Sequence, residues 1–201
     1  MSVPLDAKSI FYRKQILTIL DKTKRGHIGS AMSIVEIIRV LYEFILKHDP
    51  KNPKLPERDR FILSKGHGCL GLYVILADRG FFHEDELWNV SEDGAILGGH
   101  PEFTLTPGIE ASTGSLGHGL SIGVGMALAA KLDKKDYRTF VLLGDGECNE
   151  GSIWEAAMLA GGLKIHQLSV IIDFNKWQAT GRSQNIMSLD PLHKKWESFG
   201  W

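Results

Sequence analysis

Cysteine is nearly absent from this 201-residue chain, which has two, Cys69 and Cys148, and no Cys-x-x-Cys spacing. That excludes a disulfide framework and points to a reducing, cytoplasmic setting. No apolar run approaches the roughly 20 residues that a membrane-spanning helix needs. The first residues lack the basic-then-apolar pattern of a signal peptide. Neither sign of charge dominates: 23 Lys and Arg face 24 Asp and Glu, a formal net charge of −1. Nucleic-acid binding normally needs a clearly basic face, so that partner class is not expected. Internal repeats and low-complexity segments are also missing. The common nucleotide and zinc signatures fail as well. Gly144-Asp145-Gly146 continues as Glu147-Cys148-Asn149, so the third glycine of a dinucleotide fingerprint is lacking. No phosphate-binding Gly-x-x-x-x-Gly-Lys exists, and His83-Glu84 has no second histidine one helical turn on. With 43% hydrophobic residues, the composition is that of a globular chain able to bury one sizeable core.

What is present is a pair of β-branched, apolar runs, 137–144 and 168–175, separated by a stretch at 149–163 with helical spacing of apolar and small residues. This pattern predicts a strand–helix–strand unit with a buried parallel pair. Ligands of such units sit outside the carboxyl ends of the strands. Those ends carry Gly144-Asp145-Gly146 and Asn175. The glycines allow a ligand close to the backbone. A carboxylate and an amide oxygen converging there suit a hard cation such as Mg²⁺, with Ca²⁺ or Mn²⁺ as alternatives, whose remaining ligands are phosphate oxygens and water.

Elsewhere the periodicity predicts amphipathic helices over 9–22 and 33–47, a short strand at 60–64, helices over 69–79 and 84–89, and an irregular loop at 94–107. A helix over 116–132 carries small residues every fourth position, Gly119, Gly123 and Ala127. Each glycine there lowers helix stability by roughly 1 kcal/mol relative to alanine, so packing or ligand demands must override propensity. A last helix is expected at 191–199, and Gly200-Trp201 read as the step into a further strand. A sheet stopped there would leave an open edge, so the C-terminal side reads as truncated or covered by another chain. The expected fold class is α/β, one domain over 1–201 with helices on both faces of a mostly parallel sheet.

Four further phrases precede the Gly-Asp-Gly in order: Gly26-His27-Ile28-Gly29-Ser30, Ile62-Leu63-Ser64-Lys65-Gly66-His67, Gly98-Gly99-His100-Pro101-Glu102 and Ser112-Thr113-Gly114-Ser115-Leu116-Gly117-His118-Gly119. Together with Gly-Asp-Gly and the following Asn, they resemble the thiamin-diphosphate-binding N-terminal half of transketolases, from about Lys24 onward. The resemblance implies a thiamin-diphosphate-binding fold and transfer of a two-carbon ketol unit from a ketose to an aldose. It directs His27 and His100 at substrate as catalytic residues; imidazole can both donate and accept, and exchanges protons near neutrality. His67 is directed at the cofactor diphosphate, Gly114 at the aminopyrimidine, and Leu116 at the cofactor's bent shape. Gly144, Asp145, Gly146 and Asn175 would hold the diphosphate and its metal, with the Trp177 carbonyl as third ligand. Glu150 and Glu155 would lie at a subunit interface and link two active sites, although acidic side chains at a helix start are favourable in any case. His118 stands where the family commonly has Gln. The shortness of the chain implies the split form, whose partner is a pyrimidine-binding subunit carrying the activating glutamate. Two other readings stand beside it: a non-catalytic paralogue that binds the partner, and a subunit of another thiamin-diphosphate enzyme.

Overall fold

The structure, a computed structural model, describes residues 6–201. The chain divides into two compact units, Met1–Arg58 with Gly66–Ser112 and Asp59–Lys65 with Thr113–Trp201.

The first unit is helical. Helix α1 (Ala7–Thr23) starts where the Asp6 carboxylate accepts the N–H groups of Lys8 and Ser9, both at 2.9 Å; such a cap satisfies donors that a helix start leaves open. Its inner face buries Tyr12, Ile16 and Ile19. Helices α2 (Ile28–Met32) and α3 (Val35–Val40) follow. The single helix expected over 33–47 is therefore interrupted: α3 gives way to one π turn, Leu41–Ile45, closed by the Leu46 N–H on the Leu41 carbonyl at 2.8 Å. Short α2 lay unseen in a Gly-containing phrase. Helix α4 (Cys69–Asp78) is buried through Leu76, so it has no polar face. The expected helix at 84–89 is a 3₁₀ segment.

The second unit is built on a three-stranded parallel sheet of β1 (Arg60–Leu63), β2 (Thr139–Gly144) and β3 (Leu168–Asp173), in the order β1-β2-β3. Every residue of β2 is buried, including both alternating sets Phe140/Leu142 and Val141/Leu143, as expected of a parallel strand covered on both faces. The α/β class is that expected. Helix α5 (His118–Leu132) lies against β2 through its small residues. A Cβ on Gly119 would stand 2.8 Å from Ser64 Cα, and one on Gly123 would collide with a Val141 methyl. The packing demand inferred from the glycine spacing is met by β1 and β2. Helix α6 (Gly151–Gly162) makes the crossover from β2 to β3.

Strand β3 ends at Asp173, two residues earlier than expected. The Asn175 side chain captures the Trp177 N–H at 2.8 Å and Lys176 has φ of 67°, a local turn that competes with the ladder. A two-residue hairpin follows, β4 (Trp177–Gln178) with β5 (Gly181–Arg182), then α7 (Ser183–Met187) and α8 (Leu192–Ser198). At the last described residues, Trp201 Nε1 donates to the Ala157 carbonyl at 2.9 Å, and its ring meets Trp196 edge-on. Among the described residues no helix is long and apolar enough to cross a membrane.

Candidate functional site

The end of β2 sets the geometry of the second unit's site. Gly144 closes the strand opposite Asp173, and the chain turns through a 3₁₀ segment, Gly146–Asn149, into α6. Asp145 is 4% exposed. Its Oδ2 accepts the Lys176 N–H at 3.0 Å and the Ser183 hydroxyl at 2.8 Å. Its Oδ1 is buried with no hydrogen-bond partner. A carboxylate oxygen left so carries the full penalty of desolvation unless something outside the chain meets it. A cavity of about 470 Å³ opens beside Asp145, lined also by Lys176, Arg182 and Ser183.

Asn175 is fixed at both ends of its amide. Nδ2 donates to Asp173 Oδ2 at 2.9 Å, and Oδ1 accepts from Trp177 N–H. The segment 173–177 is thus joined to Asp145 through Lys176 N–H, so Asp145, Asn175 and the Trp177 backbone occupy one neighbourhood. Among the described residues no cluster of three His, Cys, Asp or Glu is set to hold a metal. A site here would instead rest on one carboxylate, one amide oxygen and a carbonyl. Such an all-oxygen set fits a hard divalent cation that keeps outside ligands, and the orphaned Asp145 oxygen fits it too.

Gly114 and Leu116 lie in the turn that leads into α5. Gly114 has φ of 145°, and the Thr113 hydroxyl donates to the Leu63 carbonyl at 2.7 Å. Gly117, at φ 86°, delays the helix to His118, and a Cβ there would lie 2.7 Å from Glu150 Cβ. Its N–H donates to Glu147 Oε1 at 3.0 Å, and its carbonyl accepts from Ser152 Oγ at 3.0 Å. Glu150 occupies the residue before α6, beside Gly117, and Glu155 is exposed on α6.

Sequence reasoning passed over Glu147, a buried carboxylate at the centre of this region. Oε1 accepts from Ser64 Oγ at 2.5 Å as well as from Gly117, and Oε2 accepts the Gly144 N–H at 3.1 Å. One side chain therefore ties the ends of β1 and β2 to the turn carrying Gly114 and Leu116. Burial pushes its carboxyl above the ordinary glutamate range, and these hydrogen bonds and the Lys65 charge pull against that. Lys65 was also missed. It is fully buried and pairs with Asp173 Oδ2 at 2.6 Å. The available signal was position: each polar side chain directly follows a strand or the Gly-Asp-Gly turn, where solvated surface residues have no reason to cluster.

In the first unit, His27 precedes α2 and His67 lies in the 3₁₀ turn Gly66–Gly68 that precedes α4. Their rings meet edge-to-face with centroids 5.3 Å apart. The backbone around His100 is held from α4: the Tyr73 hydroxyl contacts the carbonyls of Gly98 at 3.1 Å and His100 at 2.9 Å, and the Cys69 thiol donates to that of Gly99. Burial pushes the thiols of Cys69 and Cys148 up to about 12, so neither is a nucleophile at neutral pH.

Residues 9–201 match the family model described as transketolase, thiamine diphosphate binding domain. The chain is 47% identical to one subunit of the apulose-4-phosphate transketolase of Phocaeicola vulgatus, over 98% of this chain and 70% of that protein. It is 44% identical to 6-deoxy-6-sulfo-D-fructose transketolase subunit SqwG of a Clostridium species, over 99% of this chain and 72% of that one. Among solved structures, the transketolase of Leishmania mexicana superposes with a TM-score of 0.91 at 33% identity, covering all of this chain and 31% of its own. That of Campylobacter jejuni gives 0.91 at 32%, covering 96% and 31%. The chain belongs to the transketolase family, and what it contributes is the thiamin-diphosphate-binding domain.

Proposed function

We propose that this chain is the thiamin-diphosphate-binding subunit of a two-component transketolase, and that it holds the cofactor through a divalent cation, Mg²⁺ by preference. The observation that carries the cation is the buried, unpartnered Asp145 Oδ1 beside an oriented Asn175 amide. Asp145, Asn175 Oδ1 and the Trp177 carbonyl are the ligands in this reading. His67 donates to the diphosphate, while Gly114 and Leu116 receive the aminopyrimidine side. When bound, thiamin diphosphate supplies the nucleophilic carbon and the electron sink for ketol transfer. The chain's own residues bind, orient and exchange protons: His27 and His100 meet sugar hydroxyls and the carbonyl, where imidazole can serve as donor or acceptor.

Relatives that are themselves named as transketolase subunits support a division of labour. The partner in this reading is a pyrimidine-binding subunit, with the cofactor between the two chains. Glu150 and Glu155, at the start of α6 and on its exposed side, are assigned to a subunit interface. The substrates are a ketose donor and an aldose acceptor, and the setting is the cytoplasm, consistent with two unpaired cysteines.

Calorimetry of thiamin diphosphate binding with and without Mg²⁺ tests the cation. Binding is expected to need Mg²⁺ and to collapse in Asp145→Ala, with the circular dichroism of the apo chain unchanged. Equal cofactor affinity in the variant and the parent would overturn the assignment.

A further inference from the structure

Lys65 and Asp173 are buried, charged side chains that the reading above does not use. Lys65 lies in the Ser-Lys-Gly-His phrase, whose functional interest otherwise falls on His67. Its stem runs past the end of β2, with Cδ 3.7 Å from where a Cβ on Gly144 would stand. Its ammonium reaches Asp173 Oδ2 at 2.6 Å, with side-chain exposures of 2% and 7%. That same oxygen accepts Nδ2 of Asn175 at 2.9 Å. The Asp173 carbonyl, for its part, accepts the Asp145 N–H at 3.2 Å.

A buried ion pair is weak evidence for stability, because desolvation of both charges offsets most of their attraction. Its retention at this point needs a geometric reason, and the Asn175 amide supplies one. An amide has one end that donates and one that accepts. With Nδ2 on the Asp173 carboxylate and Oδ1 on the Trp177 N–H, both ends are satisfied. Turned over, the amide would set oxygen against carboxylate and N–H against N–H. Oδ1 also keeps a second lone pair beyond the one taken by Trp177, and that is the atom a hard cation requires.

We propose that Asp173, charge-compensated by Lys65, is a positioning residue that locks the Asn175 amide with its oxygen available to the cation. This rests on the assignment of Asn175 as a metal ligand. It extends the metal site one layer back, to the lysine of a phrase otherwise read for its histidine. Partners behind a ligand of this kind typically matter 10- to 100-fold in metal affinity, by rough analogy with known sites.

The test is titration of the full chain with Mn²⁺ in the presence of thiamin diphosphate, followed by electron paramagnetic resonance and repeated with Mg²⁺ by calorimetry. Asp173→Ala is expected to weaken metal binding roughly tenfold or more. Asp173→Asn combined with Lys65→Met keeps an acceptor oxygen for Asn175 without leaving a buried charge unpaired, and is expected to stay within about threefold of the parent. In an Asn175→Ala background, Asp173→Ala should add nothing, because the residue it works through is gone. Should Asp173→Ala fail to fold, Asp173→Ser, whose side chain stops short of Asn175, carries the same expectation. Undiminished metal affinity in the Ala or Ser variant would overturn the proposal. So would the same loss with and without Asn175, which marks a general structural effect. Parent and Asn175→Ala chains that bind metal alike would instead remove the ligand assignment on which it rests.

Discussion

Glu147 shows how one buried side chain can tie two strand ends to a turn. Both carboxylate oxygens receive backbone N–H groups, from Gly117 and Gly144, and Ser64 adds a hydroxyl. In Glu147→Gln, one end of the amide must point Nε2 at an N–H, so a buried donor faces a donor. The expected loss is about 1–3 kcal/mol of stability. The pH dependence has a definite sign. Burial raises the folded carboxyl above its ordinary 4.5, so the folded state holds the proton more tightly than the unfolded chain does. Stability linked to this group is fully present below about 4.5 and is lost as pH rises through the folded value. The variant lacks that slope. Urea unfolding across a pH series should therefore give a parent-minus-variant difference that is largest in acid and shrinks toward neutrality. A difference independent of pH would contradict the assignment.

Among the elements, α5 allows the sharpest contrast. Gly123 abuts Val141 of β2, whereas Gly125, two residues on, has nothing within 4 Å of a built Cβ. Gly123→Ala forces a methyl into a filled space and is expected to destabilise by about 1–3 kcal/mol. Gly125→Ala raises helix propensity with no collision and is expected to stabilise by roughly 0.5–1 kcal/mol. Opposite signs in denaturant midpoints check the pair, and equal signs would refute the packing account. That α5 needed its glycines was legible from their four-residue spacing, as were the three strands and α6, because buried parallel strands write themselves as unbroken apolar runs. The interruption after α3 was not legible: Leu41, Phe44 and Ile45 keep helical spacing through the π turn. Nor was the 177–187 segment, whose two-residue strands are too short to show any period. At the site, Asp145 and Asn175 were marked by glycine neighbours and strand ends. Lys65, Glu147 and Asp173 were not, since a charged letter beside a strand reads as solvated until the burial is seen.

For the whole molecule, the surface of α6 separates interior from exterior differently than its composition suggests. Ile153 is fully buried and Trp154 packs on Trp196 and Phe199, whereas Met158 and Leu159 are 57% and 50% exposed. Obligate interfaces commonly exceed roughly 2,000 Å², and exposed apolar side chains on the helix that carries Glu155 suit one. Under the two-component reading proposed above, ketol transfer is expected only when this chain is mixed with a pyrimidine-binding subunit, with a matching shift to larger mass on size exclusion. Robust activity from the chain purified alone would refute the two-component reading. The two buried thiols bring a practical consequence. The sequence holds no other cysteine, and both resist ionisation, so a maleimide finds no competing target on the folded chain. A single cysteine placed on an exposed position would be a unique handle for a fluorophore, and the approach of the partner could be timed by energy transfer without first removing any native residue.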